Sequence, residues 1–435
     1  MHILFLIVLF CFGFVGVSAQ GLYFPPNNGT WQTIDPQVEL KWCPEKMDSL
    51  EAFLGEKDTK AFIILKDGRI AVEWYYGNFT ADSLWYWASA GKSLTGTLIG
   101  IAQQEGLLDI QEPTTTYLGK AWTACTEAEE APITVWNQLT MTTGLDDKAG
   151  NADCTDPACL VCLASPGTRW AYHNAPYTLL ESVIAEASGM TINQYFNSRI
   201  GSKIGATGLY IPIDYNRVFF SRARDMARFG LLIQGKGSWN GTPVLSDTAY
   251  YNAMIQTSQP HNLSYGYLWW LNGKGEHMLP GFQFKFNDDL VPTAPDDLFA
   301  ALGKNDQKIY IVPSEGLVVI RMGETAGGVV PALSGFDSEV WAQIMALECT
   351  SAVEDQLPEN TWTIAPNPAT TAWNLGGTHP IARWALSNSL GQVVLQGKEV
   401  RVEGNSLPAG NYVLTIWDAD GGKAVKHLLK AAQGE

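Results

Sequence analysis

Ser89 and Lys92 stand three residues apart in Ser89-Ala90-Gly91-Lys92. On a helix this spacing places both on one face, so the amine reaches the hydroxyl it would have to deprotonate. A serine hydroxyl is a poor nucleophile at neutral pH and needs a base in contact. Lysine can serve only when neutral, a state favoured by burial because a low-dielectric interior disfavours the ammonium. A tyrosine could then relay protons between nucleophile and leaving group. Tyr-x-Asn occurs at Tyr76, Tyr172, Tyr195 and Tyr250. Tyr76 falls at a strand end, and Tyr195 and Tyr250 fall in helix-like stretches. Tyr172 follows the turn Pro166-Gly167-Thr168-Arg169 and precedes a helical pattern from Pro176. That places Tyr172 and Asn174 in a loop held by structure, where catalytic groups concentrate.

The elements that must position these groups show in the periodicity. After Trp85-Tyr86-Trp87-Ala88, one helical face carries Leu94, Leu98, Ile101 and Ala102. Gly91, Gly96 and Gly100 recur along it. Each costs about 1 kcal/mol against alanine in a helix interior, so such glycines mark close packing. A second helix is predicted over 176–188, with Gly189 as its stop. Met47, Leu50, Phe53 and Leu54 predict another after Cys43-Pro44. Apolar runs at 61–65 and 70–76 flank Asp67-Gly68, a pair suited to the positive φ angles of a tight hairpin. A second hairpin is predicted from 308–312 and 317–322 around Pro313-Ser314-Glu315-Gly316, with a helix at 337–347. The fold class is therefore α/β (α+β): an antiparallel sheet built from both ends of a domain, flanked by helices, around a mainly helical middle over about 90–260.

Composition sets outer limits. The chain has 435 residues, 46% hydrophobic and 17% charged, enough for a large core. Residues 3–17 form an apolar run ending in Val17-Ser18-Ala19, which predicts a signal peptide at 1–19 and no stable membrane span. The six cysteines after it form an even set in an exported chain, and disulfides are the expected state. Cys43 and Cys349 flank the main domain and are the expected pair. Cys154, Cys159 and Cys162 could instead hold zinc, but only His173 lies nearby and no His-Glu-x-x-His pattern occurs, so no metal and no cofactor is expected. A net charge of −16 argues against nucleic acid as a partner. Polar residues 351–360 read as a linker between a domain at 20–350 and a small β-sandwich at 361–435.

Four ordered blocks carry a resemblance: Ser89-Ala90-Gly91-Lys92, the stretch Ile133 to Leu145, Pro166 to Asn174, and Ser221 to Gly230. Together they resemble the serine β-lactamase-related superfamily, in its class C-like branch with D-alanyl-D-alanine carboxypeptidases, esterases and 6-aminohexanoate-dimer hydrolases. The resemblance implies an acyl-enzyme route. Ser89 would attack a carbonyl, Lys92 and Tyr172 would move protons, and Asn174 would orient the substrate. The N–H of Ser89 and an N–H on a facing edge strand would hold the oxyanion. That strand normally carries Lys-Thr-Gly or His-x-Gly, whereas this chain has Ala301-Leu302-Gly303-Lys304. Gly303 and Lys304 are thus the expected substrate-binding residues, although Lys304 also reads as a plain solvated lysine.

A basic group at Ala301 would meet the carboxylate of a penicillin or a peptide terminus. Its loss, with Asp288, Asp289, Asp296 and Asp297 expected at the cleft rim, favours an uncharged or cationic small-molecule ester or amide substrate over a β-lactam. The alternatives are a β-lactamase or carboxypeptidase that binds penicillin, and a catalytically silent binding protein on the same fold. His173, between Tyr172 and Asn174, is expected to point away from both. The C-terminal unit is similar to type IX secretion sorting domains in Pro366-Asn367-Pro368, Leu390-Gly391-Gln392 and Leu407-Pro408-Ala409-Gly410-Asn411-Tyr412. That implies export through the periplasm, with the secretion machinery as partner and a secreted or cell-surface location.

Overall fold

In a computed structural model that describes residues 21–327, 333–349, 362–377, 380–388, 392–419 and 423–432, Asp67 and Gly68 adopt φ of 49° and 83°. The pair joins β1 (Thr59–Lys66) to β2 (Arg69–Tyr75) as a tight antiparallel hairpin. The expected signal peptide and linker lie outside the described residues. The chain divides into two compact units, one up to Glu348 and one from Cys349.

In the first unit, β3 (Trp85–Tyr86), β4 (Gly208–Ile213) and β5 (Asn216–Ser221) form a small sheet in the order β3-β5-β4. The chain then supplies β6 (Trp270–Leu271), β7 (Phe299–Gly303), β8 (Gln307–Val312) and β9 (Leu317–Gly323). These four join the first hairpin in a six-stranded sheet ordered β2-β1-β9-β8-β7-β6. Ile63 faces Ile320 across β1 and β9, so both ends of the domain build one sheet, as the two hairpin patterns predict.

Every residue of β8 and β9 is buried, which requires cover on both faces. Helix α1 (Pro44–Glu56) starts with proline in its first turn, where the missing N–H costs nothing. The central helix α2 (Gly91–Gln104) follows a short turn at Ala88–Ala90. It is buried on every side from Gly91 to Ala102, not on the single face that its apolar residues suggest. Gly96 and Gly100 are the reason: a Cβ at Gly96 would sit 3.0 Å from the Tyr267 carbonyl oxygen, and one at Gly100 would enter the Tyr250 ring. Tyr250 also donates its hydroxyl to the Gly96 carbonyl at 2.7 Å.

The helix expected over 176–188 is two pieces, α3 (Asn174–Thr178) and α4 (Leu180–Ser188), with Gly189 closing the second at φ 68°. Asn174 therefore opens a helix and does not lie in the loop with Tyr172. Helix α5 (Ala223–Gln234) packs on the Val318–Ile320 face of the sheet through Gly230. Helix α6 (Gly335–Met345) stacks Phe336 on Phe53 of α1 and lies over Arg321, on the opposite face by strand alternation.

Disulfides join Cys125 to Cys162 and Cys154 to Cys159. Cys43 and Cys349 are also disulfide-bonded. No helix among the described residues is long and apolar enough to cross a membrane.

The second unit is two antiparallel sheets over one core. Three strands include Ala372–Gly377, and four include Ile381–Ser387 and Gly410–Asp418. Trp373 and Val402 of one sheet pack with Trp384, Leu386 and Leu414 of the other.

Candidate functional site

Ser89 sits in the turn just before α2, and the residue preceding it, Ala88, takes a left-handed φ of 47°. A side-chain-bearing residue is strained there, and such strain needs its surroundings to over-determine it. Trp87 supplies part of that restraint. Its N–H donates to the Phe219 carbonyl at 2.8 Å and its indole to Ser221 Oγ at 2.8 Å.

Lys92, the second residue of α2, places Nζ 3.1 Å from Ser89 Oγ. The lysine is buried, and its ammonium lies 4.2 Å from the Tyr177 ring centre and 5.2 Å from that of Tyr172. Burial pulls its pKa down to about 7, with the Asp153 carboxylate acting through space in the opposite direction. The neutral amine is therefore well populated near neutral pH, as a base requires. Burial raises the Tyr172 phenol above its ordinary pKa, and the nearby Ser89 hydroxyl partly offsets the rise. Its ring stacks on Trp270 at 5.8 Å. The three groups expected to share one chemistry are thus neighbours, with Lys92 touching the Ser89 hydroxyl and lying over the Tyr172 ring.

The block from Ile133 to Leu145 explains the position of Tyr172. Ala171 donates its N–H to the Met141 carbonyl at 2.9 Å, Gly167 donates to Thr142 at 2.8 Å, and the Gln138 amide donates to the Pro176 carbonyl at 2.7 Å. Asn174 donates to Asp153 Oδ1 at 2.7 Å. Asp153 escapes sequence reasoning because nothing local marks it. It is fixed by the adjoining Cys154–Cys159 disulfide and by the Ala175 N–H, which donates to the Ala152 carbonyl at 3.1 Å. An acidic residue beside a cysteine in a cysteine-dense loop is the one available signal. His173 is buried, and burial pulls its pKa down to about 4, so the ring is neutral at pH 7. It is not among the residues lining the cavity.

That cavity, of about 460 Å³, opens over Ser89 and Lys92. Asp153 and Asn174 form one wall, the β4–β5 hairpin a second, and Lys304 with Asn305 a third. Lys304 is exposed and lines the cavity, so it is a solvated lysine that also faces the site. Gly303 is buried behind it. A Cβ there would collide with the Trp87 carbonyl and come within 3.0 Å of the Ala90 nitrogen, so only glycine lets the end of β7 approach the serine turn. β6 pairs with Phe299 and Ala300, and on that side of the last residues of β7 no further strand lies among the described residues.

After Gly303 the chain turns through Asn305 and Asp306, with φ of 60° and 57°. Asp306 is held by the Ala326 N–H at 3.0 Å, Ser334 Oγ at 2.7 Å and Lys308 Nζ at 3.1 Å. Burial alone would raise its carboxyl pKa, but the Lys308 charge and these hydrogen bonds hold it below the ordinary value.

The four aspartates expected at the rim are elsewhere. Asp297 accepts from the Ser314 N–H and hydroxyl at 2.7 and 2.8 Å, Asp289 accepts from the Gly275 N–H at 2.7 Å, and Asp288 lies beside His277. Asp296 lines a separate hollow near Leu271. None of the four lines the serine cavity, whose charged lining besides Lys92 is Asp153, Lys304 and Arg217.

Known proteins align with this arrangement. A stretch of the chain is 33% identical over 84 residues to a 6-aminohexanoate-dimer hydrolase of Paenarthrobacter ureafaciens, covering 19% of this chain and 21% of that relative's length. A Bacillus anthracis structure provisionally assigned as a 6-aminohexanoate-dimer hydrolase superposes with a TM-score of 0.56 at 19% identity, over 74% of this chain and 88% of its own. A penicillin-binding protein homologue from Caulobacter crescentus does so with a TM-score of 0.54 at 13% identity, over 70% and 98%. The superpositions fix the fold as β-lactamase/transpeptidase-like. The Beta-lactamase family model matches residues 52–336, more than half of the chain and all of the elements around Ser89, and the chain belongs to the beta-lactamase family of serine hydrolases.

Proposed function

We propose that the protein hydrolyses an ester or amide through an acyl-enzyme on Ser89. In this reading Ser89 Oγ attacks the carbonyl while its proton passes to neutral Lys92. The tetrahedral oxyanion is held by the Ser89 N–H and an N–H at the end of β7. Tyr172 delivers a proton to the leaving alcohol or amine as its bond to carbon breaks, and water then releases the acyl group by the reverse path. Asn174 orients the substrate. The observation that carries the reading is the buried Lys92 amine, with its pKa near 7, 3.1 Å from Ser89 Oγ.

Ala301 in place of a basic residue and the Asp153 carboxylate in the cavity support an uncharged or cationic substrate, including a small peptide or oligomeric amide. A β-lactamase or penicillin-binding activity is the second reading, favoured by Lys304, a cation in the cavity that could meet a carboxylate. Export is part of the proposal: a set of disulfides belongs in an oxidising compartment. The second unit would then act as a type IX sorting domain, and secreted mature protein lacking residues 361–435 is the expected sign.

The test is covalent labelling. A fluorescent phosphonate should label the wild type and not Ser89→Ala, and a fluorescent penicillin should label poorly. Penicillin labelling at an enzyme-like rate would establish the second reading, and no phosphonate labelling would leave a silent binding protein.

A further inference from the structure

Tyr210 is the one buried residue of strand β4, while Leu209, Ile211 and Ile213, on the opposite face by strand alternation, are 45%, 36% and 45% exposed. The outward face of a two-sided antiparallel sheet is ordinarily polar. Here the cross-strand partners continue the apolar face, because Leu209 opposes Phe220 and Ile211 opposes Val218. The inward face already has its packing, with Tyr210 and Phe219 in edge contact at 4.9 Å. Core formation therefore does not explain the outer residues, and an uncovered apolar patch of this kind marks a binding surface.

The face is continuous with the serine cavity. Ile213, Val218 and Phe220 belong to both, and Tyr86, which pairs with Phe220 from β3 at a ring separation of 6.1 Å, carries the surface to within three residues of Ser89. From Leu209 to Ile213 the strand rises ~13 Å, so an extended chain leaving the cavity has apolar support over that length. We infer that this face of the β4–β5 hairpin seats an apolar chain attached to the scissile group of the substrate. The inference rests on the acyl-transfer reading above and names the substrate class within it: esters or amides with a linear apolar chain. Continuity with the reacting centre is what assigns the face to substrate instead of to a second copy of the protein.

The experiment compares Ser89-dependent hydrolysis of p-nitrophenyl acetate, butyrate, hexanoate and octanoate, and of ethyl and hexyl esters of one short acid. It also compares labelling rates for short- and long-chain alkyl phosphonates. The proteins are the wild type and Leu209→Thr/Ile211→Thr, a pair that keeps strand propensity and leaves the buried face intact. The expected result is a rise in kcat/KM or labelling rate of about two- to fourfold per added methylene in at least one series. In the variant the long-to-short ratio should fall about tenfold, with an unchanged melting temperature. A flat chain-length profile in every series overturns the inference while leaving the acyl-transfer reading intact. A ratio preserved in the variant also overturns it, because the chain then lies elsewhere. Absence of both hydrolysis and phosphonate labelling removes the acyl-transfer reading and this inference with it.

Discussion

Two lysines of the larger unit are buried, and they are opposites. Lys308 has no exposed side-chain surface, and its ammonium lies 3.1 Å from Asp306 and 2.8 Å from Asp337, whose other oxygen accepts from Tyr310 at 2.6 Å. Lys92 is nearly as enclosed, but its neighbours are the Ser89 hydroxyl and two aromatic rings, with one carboxylate acting only at a distance. In one place burial is offset by ion pairs, and the lysine serves structure. In the other it is left unbalanced, and the amine becomes available as a base. The Lys308 cluster also serves the site, since it holds Asp306 and through it the turn that presents Lys304.

The largest effect expected from breaking this contrast is on turnover. Lys92→Met should lower kcat/KM by about 10²–10⁴-fold, the range that a general base contributes. In the wild type, kcat/KM should rise with pH through about 7 as the amine loses its proton. An acid limb well below pH 5 would point to a carboxylate base instead.

The next effect is on stability, and its sign separates the two lysines. Removing one partner of a buried ion pair leaves the other charge stranded, so Lys308→Met should destabilise the protein by about 3–5 kcal/mol. Lys92→Met should do the reverse. An amine with a folded pKa of about 7 and an ordinary value of 10.5 binds fewer protons folded than unfolded between those limits. Stability therefore rises with pH across that window and is lowest below it. The methionine variant escapes this cost and should be more stable by about 1–2 kcal/mol at pH 6, the usual trade between stability and activity. The gain should shrink toward pH 10. Thermal unfolding of both variants at pH 6 and pH 9 measures this, and a destabilised Lys92→Met would end the contrast.

The same contrast shows what sequence could and could not reveal. Ser89, Lys92 and Tyr172 were legible because helical spacing and a structured loop are local signals. The hairpin at Asp67-Gly68 and the close packing at Gly96 and Gly100 were legible because steric demands select those residue types. The Lys308 cluster was not. On a strand, Lys308 looks like an outward-facing residue, and its partners come from a turn and from a helix 29 residues later. The rim aspartates misled for a related reason: clustering in sequence gave them a shared charge, but Asp289 and Asp297 are engaged by backbone N–H groups of distant turns and none of the four lines the cavity. Asp153 was missed because a disulfide, not a periodic pattern, delivers it to the cavity.

Asp153 allows the finest adjustment of the contrast, since it is the carboxylate that makes Lys92 slightly more like Lys308. Its charge raises the Lys92 pKa against the pull of burial. Asp153→Asn removes the charge but keeps an oxygen to accept from the Asn174 amide. The amine should then lose its proton more easily, and the acid limb of kcat/KM should move to lower pH by less than about one unit. Turnover at pH 6 should rise relative to the plateau, provided that the substrate is uncharged. With a cationic substrate the same change should raise KM, because the cavity loses its carboxylate. Measuring both pH profiles separates the electrostatic effect on the base from the effect on binding. A limb that stays in place or moves upward would show that the Asp153 charge does not raise the Lys92 pKa.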